Sequence, residues 1–211
     1  LCIGACHWDL TLQCNSEVIP GESNPVHSSR SPGGVAFNIA RALSHLDCIV
    51  GLASRVGSDP SGKALVDYLT TSRIEAIDIS EETIRHTAAY TAVVDPQGEL
   101  VVGLADMEIY DRLDRMYWSS KGDKLAGWDA WCLDTNLPEP GLQYLSTLAN
   151  RPRLYAVVSS PSKGARLKSS LRHINTLILN VAEASVLTDQ SHRGIGGAEK
   201  AAQLLCTAGV D

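Results

Sequence analysis

Gly33-Gly34-Val35-Ala36-Phe37-Asn38 is the first cluster in this 211-residue sequence whose residue types and spacing could do chemistry. Glycines at a helix start let the backbone come close to a ligand, and the unpaired N–H groups of the first turn favour polar or anionic atoms. Asn38 falls one turn into that helix, where its amide can donate to and accept from hydroxyls lying in front of the helix start. Asp9 closes an apolar opening segment with a carboxylate of the kind that grips paired sugar hydroxyls, each charge-assisted bond contributing about 1.5–3 kcal/mol. Taken singly these are a tight turn, a solvent-facing helix residue and a loop cap. Taken together they form a hydroxyl-binding constellation.

The elements that must position them follow from periodicity. Leu1 to Ala5 reads as a short buried strand running to His7-Trp8-Asp9. Glu17 to Ser31, with Pro20 and Pro25, suits an edge excursion and no central strand. From Gly33 to Leu46 the apolar residues Val35, Ile39, Ala42, Leu43 and Leu46 recur at helical spacing. Cys48 to Ala53 predicts a strand and Pro60 to Leu69 a helix. Thr87 to Val94 and Glu99 to Leu104 flank Asp95-Pro96-Gln97-Gly98, a β-hairpin pattern. Asp111 to Trp118 predicts a helix. Strand and helix then alternate: Ala130 to Leu133 and Glu139 to Leu148, Leu154 to Val158 and Ser162 to Leu171, Thr176 to Leu179 and Val181 to Leu187, with Ala198 to Ala208 a last helix.

Such alternation predicts an α/β fold, a mostly parallel sheet with helices on both faces. The two polar interruptions, about residues 13–31 and 87–104, are expected to pair as a small β lid over the carboxyl ends of the strands. Ligands bind there in such folds, Asp9, Asp134 and Asn180 fall there, and a lid would exclude water from a polar reaction.

With 44% hydrophobic and 20% charged residues the chain is globular and long enough to bury a full core. A net charge of -6 and no basic stripe argue against a nucleic-acid binder. No apolar run reaches the ~20 residues of a membrane helix. Six cysteines without regular spacing, several in apolar runs, fit reduced thiols and a cytoplasmic protein. The histidines and cysteines show no metal-ligand spacing, so no zinc site is expected. Gly194-Ile195-Gly196-Gly197 lacks a preceding strand and a Lys-Ser/Thr ending, and reads as a flexible link before a helix. Both ends look cut, the first inside a strand-like run and the last where another strand ought to begin.

The order of a strand ending in Asp9, an excursion and a Gly33-Gly34-x-x-x-Asn38 helix resembles the ribokinase-like (PfkB) carbohydrate and nucleoside kinases. Gly51 to Gly62, containing Val56-Gly57-Ser58-Asp59-Pro60-Ser61-Gly62, is similar to that family's Val-Gly-x-Asp-x-x-Gly turn, and Asn180-Val181-Ala182-Glu183 to its Asn-x-x-Glu motif. The pseudouridine kinase branch is the nearest likeness, through Ser31 to Val35, the hairpin leading into Ala105-Asp106-Met107-Glu108-Ile109, and Asp134-Thr135-Asn136-Leu137-Pro138. Phe37 stands where that branch commonly has a basic residue, Asp47 where the family usually ends the helix with Gly, and Ser159-Ser160-Pro161 in place of a more usual Asp-Pro.

The resemblance implies ATP-dependent phosphorylation, with magnesium, of a primary hydroxyl on a ribosyl-type sugar or nucleoside, foremost pseudouridine to its 5'-phosphate. It implies that Asp9, Gly33, Gly34, Asn38, Asp106 and Asn136 hold the substrate, that Asn180 and Glu183 serve the phosphate and metal side, and that Glu183 acts on magnesium through water. It also allows a homodimer paired through the β lid. The family's catalytic base, in a Gly-Ala-Gly-Asp segment, has no match in residues 1–211, so no catalytic residue is assigned. The chain reads as an incomplete ribokinase-like domain, inactive alone, whose base is expected beyond Asp211. A non-catalytic sugar- or nucleoside-binding protein and a sugar kinase of other specificity are the alternatives. A dinucleotide oxidoreductase is disfavoured because no Gly-x-Gly-x-x-Gly turn follows the first strand.

Overall fold

The computed structural model describes all of residues 1–211. Along the chain run β1 (Cys2–Ile3), β2 (His7–Cys14), β3 (Val26–Gly33), α1 (Val35–His45), β4 (Val50–Gly57), α2 (Pro60–Thr71), β5 (Ile74–Glu82), β6 (Ala89–Val94) and β7 (Leu100–Asp106). There follow α3 (Arg115–Ser119), α4 (Gly122–Leu125), β8 (Ala130–Asp134), α5 (Glu139–Thr147), β9 (Arg153–Val157), α6 (Pro161–Gly164), β10 (Thr176–Ile178), α7 (Val181–Leu187) and α8 (Gly194–Thr207), with 3₁₀ turns at Glu108–Arg112 and Ala165–His173.

Six strands pair in the order β10-β9-β8-β1-β4-β5, every neighbouring pair parallel. A parallel sheet must bury both faces, and strand alternation divides its side chains between two layers. Cys2 and Leu52, in register, pack with Phe37 and Ala40 of α1 and with Leu65 and Leu69 of α2. The next row, Ile3, Ala53 and Leu133, packs on the other face with Trp118, Leu142, Leu145 and Leu187. Each such fully buried Leu contributes about 1.5–3 kcal/mol.

A second sheet has the order β3-β2-β6-β7, with β2 antiparallel to β3, parallel to β6, and β6 antiparallel to β7. The excursion and the hairpin therefore do join, through β2 and β6, but the sheet begins earlier than position 13. The opening strand is only Cys2–Ile3, and Asp9 is the third residue of β2 in the small sheet instead of the last of the first strand. Trp8, Leu10 and Leu12 alternate with polar residues, the pattern of a half-covered strand, whereas Cys2 to Cys6 are buried outright. That change from continuous burial to partial exposure marks the passage between sheets. Trp8 ties the small sheet down: its Nε1 donates to Ser61 O at 2.9 Å, and Arg30 stacks over its ring while donating to Ser61 Oγ.

Other boundaries shift for local reasons. The edge strand β5 has no counterpart in the predicted elements, because a bulge between Ala76 and Asp78 throws Ile77 out of step and spoils the period. The helix expected over 111–118 divides at Asp114, whose side chain accepts the Tyr117 N–H at 3.0 Å and starts α3 afresh. The one expected over 162–171 is a single α turn continued as a 3₁₀ run. Gly194 to Gly197 form the first turn of α8, a correction to the flexible link. Asp47 has φ 57 and ends α1 in the left-handed conformation for which the family more usually has glycine.

Candidate functional site

Asp9 and the start of α1 meet at Gly33. A Cβ on Gly33 would overlap the Asp9 Oδ2, so only glycine lets this carboxylate settle against the backbone just before the helix. Gly34 follows with φ 102 and closes on Ala5, whose carbonyl accepts the Phe37 N–H at 3.1 Å. The Asp9 side chain keeps 37% of its accessible surface, and its only partner is His7, with Nε2 to Oδ1 3.2 Å. A carboxylate with an unshared oxygen at the mouth of a helix N-terminus can accept hydrogen bonds from ligand hydroxyls.

Asp134 fixes the floor beneath it. Its Oδ2 accepts the N–H groups of Ala5 at 2.8 Å and Ala36 at 2.9 Å, and its Oδ1 that of Asn136 at 2.7 Å. One buried carboxylate thereby joins the exit of β1, the first turn of α1 and the loop after β8. Burial pushes its pKa up, against the pull of those N–H donors. Tyr110, fully buried in the 3₁₀ turn after the hairpin, donates its hydroxyl to Cys6 O at 2.8 Å and accepts the Cys6 N–H at 3.0 Å. Its Oη also lies 3.3 Å from His7 Nδ1. The segment Ala5 to Asp9 is thus held by Asp134, Tyr110 and His7, of which sequence reasoning noticed only Asp134, and that by its place at a strand end.

The other predicted residues are distributed unevenly. Asn38 is exposed, and its N–H bonds Gly34 O at 2.8 Å, which sets it one turn above the glycine pair. Asn136 is buried; its Oδ1 accepts Lys163 Nζ at 2.5 Å, and Arg166 Nη1 donates to its carbonyl at 3.1 Å. Lys163 is held below its ordinary pKa by burial and by the neighbouring Arg166 charge. Asp106 pairs with Ala89, which pairs with Trp8, so its register position lies on the Trp8 face of the small sheet and not on the Asp9 face. The structure does not bring Asp106 to Asp9. Tyr90, opposite Asp9 in register, is the residue on that face, and its hydroxyl reaches over Gly103.

Asn180 and Glu183 stand at the start of α7, three strands from β1 across the large sheet. They form a reciprocal capping box: Asn180 Oδ1 accepts the Glu183 N–H at 2.9 Å, and Glu183 Oε2 accepts the Asn180 N–H at 2.8 Å. Both therefore have a structural duty, one that the Asn-x-x-Glu spacing ahead of an apolar run also encodes. No three His, Cys, Asp or Glu side chains gather where they could hold a metal ion. A magnesium ion at Glu183 would find one buried carboxylate with one oxygen already engaged, a donor set that fits contact through water and not direct enclosure. An apolar groove between α1 and the strands β8 to β10, lined by Ile39, Leu43, Tyr155 and Ile178, has Asp129 as its one charged residue, too few polar groups for a ligand rich in hydroxyls.

The family described as pfkB family carbohydrate kinase matches residues 1–211. A pseudouridine kinase of Escherichia coli strain K12 is 29% identical over 187 residues, 88% of this chain and 59% of that protein. Among solved structures, a carbohydrate kinase from Agrobacterium tumefaciens superposes with a TM-score of 0.83 at 31% identity, covering 99% of this chain and 66% of that one. A ribokinase from Arabidopsis thaliana complexed with ribose and ATP shares the fold, with a TM-score of 0.79 at 15% identity over 99% of this chain and 68% of that one. The chain spans 59% of the Escherichia coli protein and 66% of the Agrobacterium structure.

Proposed function

The chain belongs to the pfkB carbohydrate kinase family, and from that premise we propose that the whole protein transfers a phosphoryl group from ATP to a primary hydroxyl of a ribosyl-type sugar or nucleoside, pseudouridine foremost. The observation that carries the acceptor side is the Asp9 carboxylate seated over Gly33 at the start of α1. There Asp9 accepts hydrogen bonds from ribose hydroxyls, the Gly33-Gly34 backbone lets the sugar approach, and Asn38 supplies a second polar contact. Tyr90, on the same face, offers a flat apolar surface against which a nucleobase can stack. Asn136, held by Lys163, is assigned to the rim of that pocket, and Asp106 only by the likeness of its segment.

Phosphoryl transfer is served mainly by positioning and by compensation of negative charge. Magnesium and ATP would supply the charge compensation and the donor phosphate; Glu183 and Asn180 are the residues of this chain assigned to that side, Glu183 through water. The base that takes the hydroxyl proton is assigned to the Gly-Ala-Gly-Asp segment of the family, which residues 1–211 do not contain.

The small sheet acts as the lid, held at one end by Trp8 on Ser61 and exposing Leu100, Val101, Val102 and Leu104 of β7, a surface suited to pairing two copies of the protein. Six free cysteines fit a reducing, cytoplasmic setting, and no helix is long and apolar enough to cross a membrane. The test is a coupled ATP-consumption assay on the whole protein with pseudouridine, uridine, ribose and fructose. Turnover with the ribosyl compounds and none with fructose is expected. ATP turnover with none of them, alongside measurable nucleoside binding, would leave the non-catalytic binding protein as the better reading.

A further inference from the structure

His7 is almost wholly covered, with 7% of its side chain exposed, yet both ring nitrogens have partners that no strand pairing requires. On one side Nε2 lies 3.2 Å from Asp9 Oδ1. On the other, Nδ1 lies 3.3 Å from the Tyr110 hydroxyl. Counting protons fixes the roles. An ionised carboxylate only accepts, so the imidazole must carry hydrogen on Nε2 for this contact to bind. The phenol has one hydrogen, and the shorter contact, 2.8 Å to Cys6 O, claims it, while the Cys6 N–H comes back to the same oxygen at 3.0 Å. Tyr110 is therefore locked to the backbone with no hydrogen left for Nδ1, so it bounds the ring by contact and not by a donated hydrogen bond, and His7 transmits that fixity to Asp9.

We infer that His7 is a positioning residue for the substrate-binding carboxylate of Asp9, holding its Oδ1 so that Oδ2, seated over Gly33, is the oxygen presented to a ring hydroxyl of the substrate. The inference rests on the reading of Asp9 as the hydroxyl grip. An unheld Asp9 on a half-exposed strand could turn through its side-chain rotamers, and fixing one oxygen lowers the entropy lost when a hydroxyl binds the other. Gly33 bars displacement toward α1, Tyr110 bars movement of the ring, and His7 bars rotation of the carboxylate. The arrangement favours a ligand that presents a hydroxyl donor to one carboxylate oxygen, as a furanose diol does.

Two measurements test this with separate outcomes. Nitrogen NMR of the His7 ring in the whole protein should show a hydrogen on Nε2, with shifts that move in Asp9→Asn; a ring unmoved by that substitution overturns the contact itself, whatever binds. Calorimetric titration with pseudouridine should show affinity weakened on the order of tenfold in His7→Leu, the loss of about one hydrogen bond to a charged group. In His7→Gln, whose amide nitrogen reaches nearly as far as Nε2, affinity should stay within about threefold, while ATP affinity is unchanged in both. Equal affinities in wild type, His7→Leu and His7→Gln overturn the positioning role. Full affinity in Asp9→Ala, with the nitrogen shifts as expected, would instead remove Asp9 as the hydroxyl grip and leave the His7 contact standing.

Discussion

Asp59 and Thr87 are joined by two hydrogen bonds, from the Thr87 N–H to Oδ2 at 2.7 Å and from the Thr87 hydroxyl to Oδ1 at 2.8 Å, while the same Oδ1 accepts the Gly62 N–H at 2.7 Å and caps α2. Gly57 and Gly62 close the space around them, since a side chain on either would overlap the 87 segment. The Val-Gly-x-Asp-x-x-Gly turn is thus a latch between the large sheet and the entry to β6. It anchors the hairpin end of the small sheet, as Trp8 on Ser61 anchors the other strand pair.

Loss of that latch should be costly. Asp59→Ala removes a helix cap and two bonds to Thr87, and is expected to lower unfolding free energy by about 2–3 kcal/mol in urea titrations. Burial works against the charged form of Asp59, but the N–H groups of Thr87 and Gly62 and the Thr87 hydroxyl outweigh it and hold its pKa below the usual value. A depressed folded pKa means that this stability is complete above the unfolded value of about 3.9 and is lost as pH falls through the folded one. Asp59→Asn should keep part of the cap and flatten stability against pH in that acid window. An unchanged acid slope would refute the assignment.

Asp134 has the opposite sign. Its folded pKa is raised by burial, so the folded state takes up its proton first, and its contribution declines as pH climbs from about 3.9 through the folded value. Its bonds nonetheless satisfy N–H groups of Ala5, Ala36 and Asn136, all buried. Asp134→Ala would leave three donors without acceptors, and we expect about 3 kcal/mol or more of destabilisation near neutral pH, measured by chemical unfolding. A cost under about 1 kcal/mol would mean that water replaces the carboxylate.

How far the sequence disclosed this molecule depends on which physical signal each part uses. The large sheet was legible because fully buried strands read as continuous apolar runs between helices. β5 was not, because its bulge destroys the two-residue period. The glycine pair and Asp9 were legible as polar chemistry at an element boundary, yet their contact is a matter of strand register, which no local pattern carries. His7 and Tyr110 were invisible for the same reason: 103 positions separate them, and their contact exists only because the hairpin returns the chain beneath Cys6. Asp106 is the converse case, a residue chosen for its segment whose register places it on the face opposite Asp9.

Asn180 and Glu183 allow capping and phosphate-side roles to be separated. Gln serves in a capping box as Glu does, so Glu183→Gln should keep unfolding free energy within about 0.5 kcal/mol of wild type, whereas Glu183→Ala should lose about 1 kcal/mol. If Glu183 also acts on magnesium through water, Glu183→Gln in the whole protein should raise the magnesium concentration needed for half-maximal turnover despite unchanged stability. Wild-type magnesium dependence in Glu183→Gln would reduce the motif to a helix cap.

Gly33 provides the most direct trial of the acceptor pocket. Its backbone is not in the left-handed region, so Gly33→Ala should fold, but the added methyl claims the volume of Asp9 Oδ2 and must push the carboxylate away. Asp9→Ala and Asn38→Ala should each weaken pseudouridine binding by about 1–3 kcal/mol, and Gly33→Ala should approach the Asp9→Ala value by displacement alone. Because the two changes act on one interaction, they should not add. The double variant should bind like Asp9→Ala and should recover stability lost in Gly33→Ala, since deleting the carboxylate vacates the space that the methyl needs. Additive losses in calorimetry would show that Gly33 acts on the ligand by some route other than Asp9.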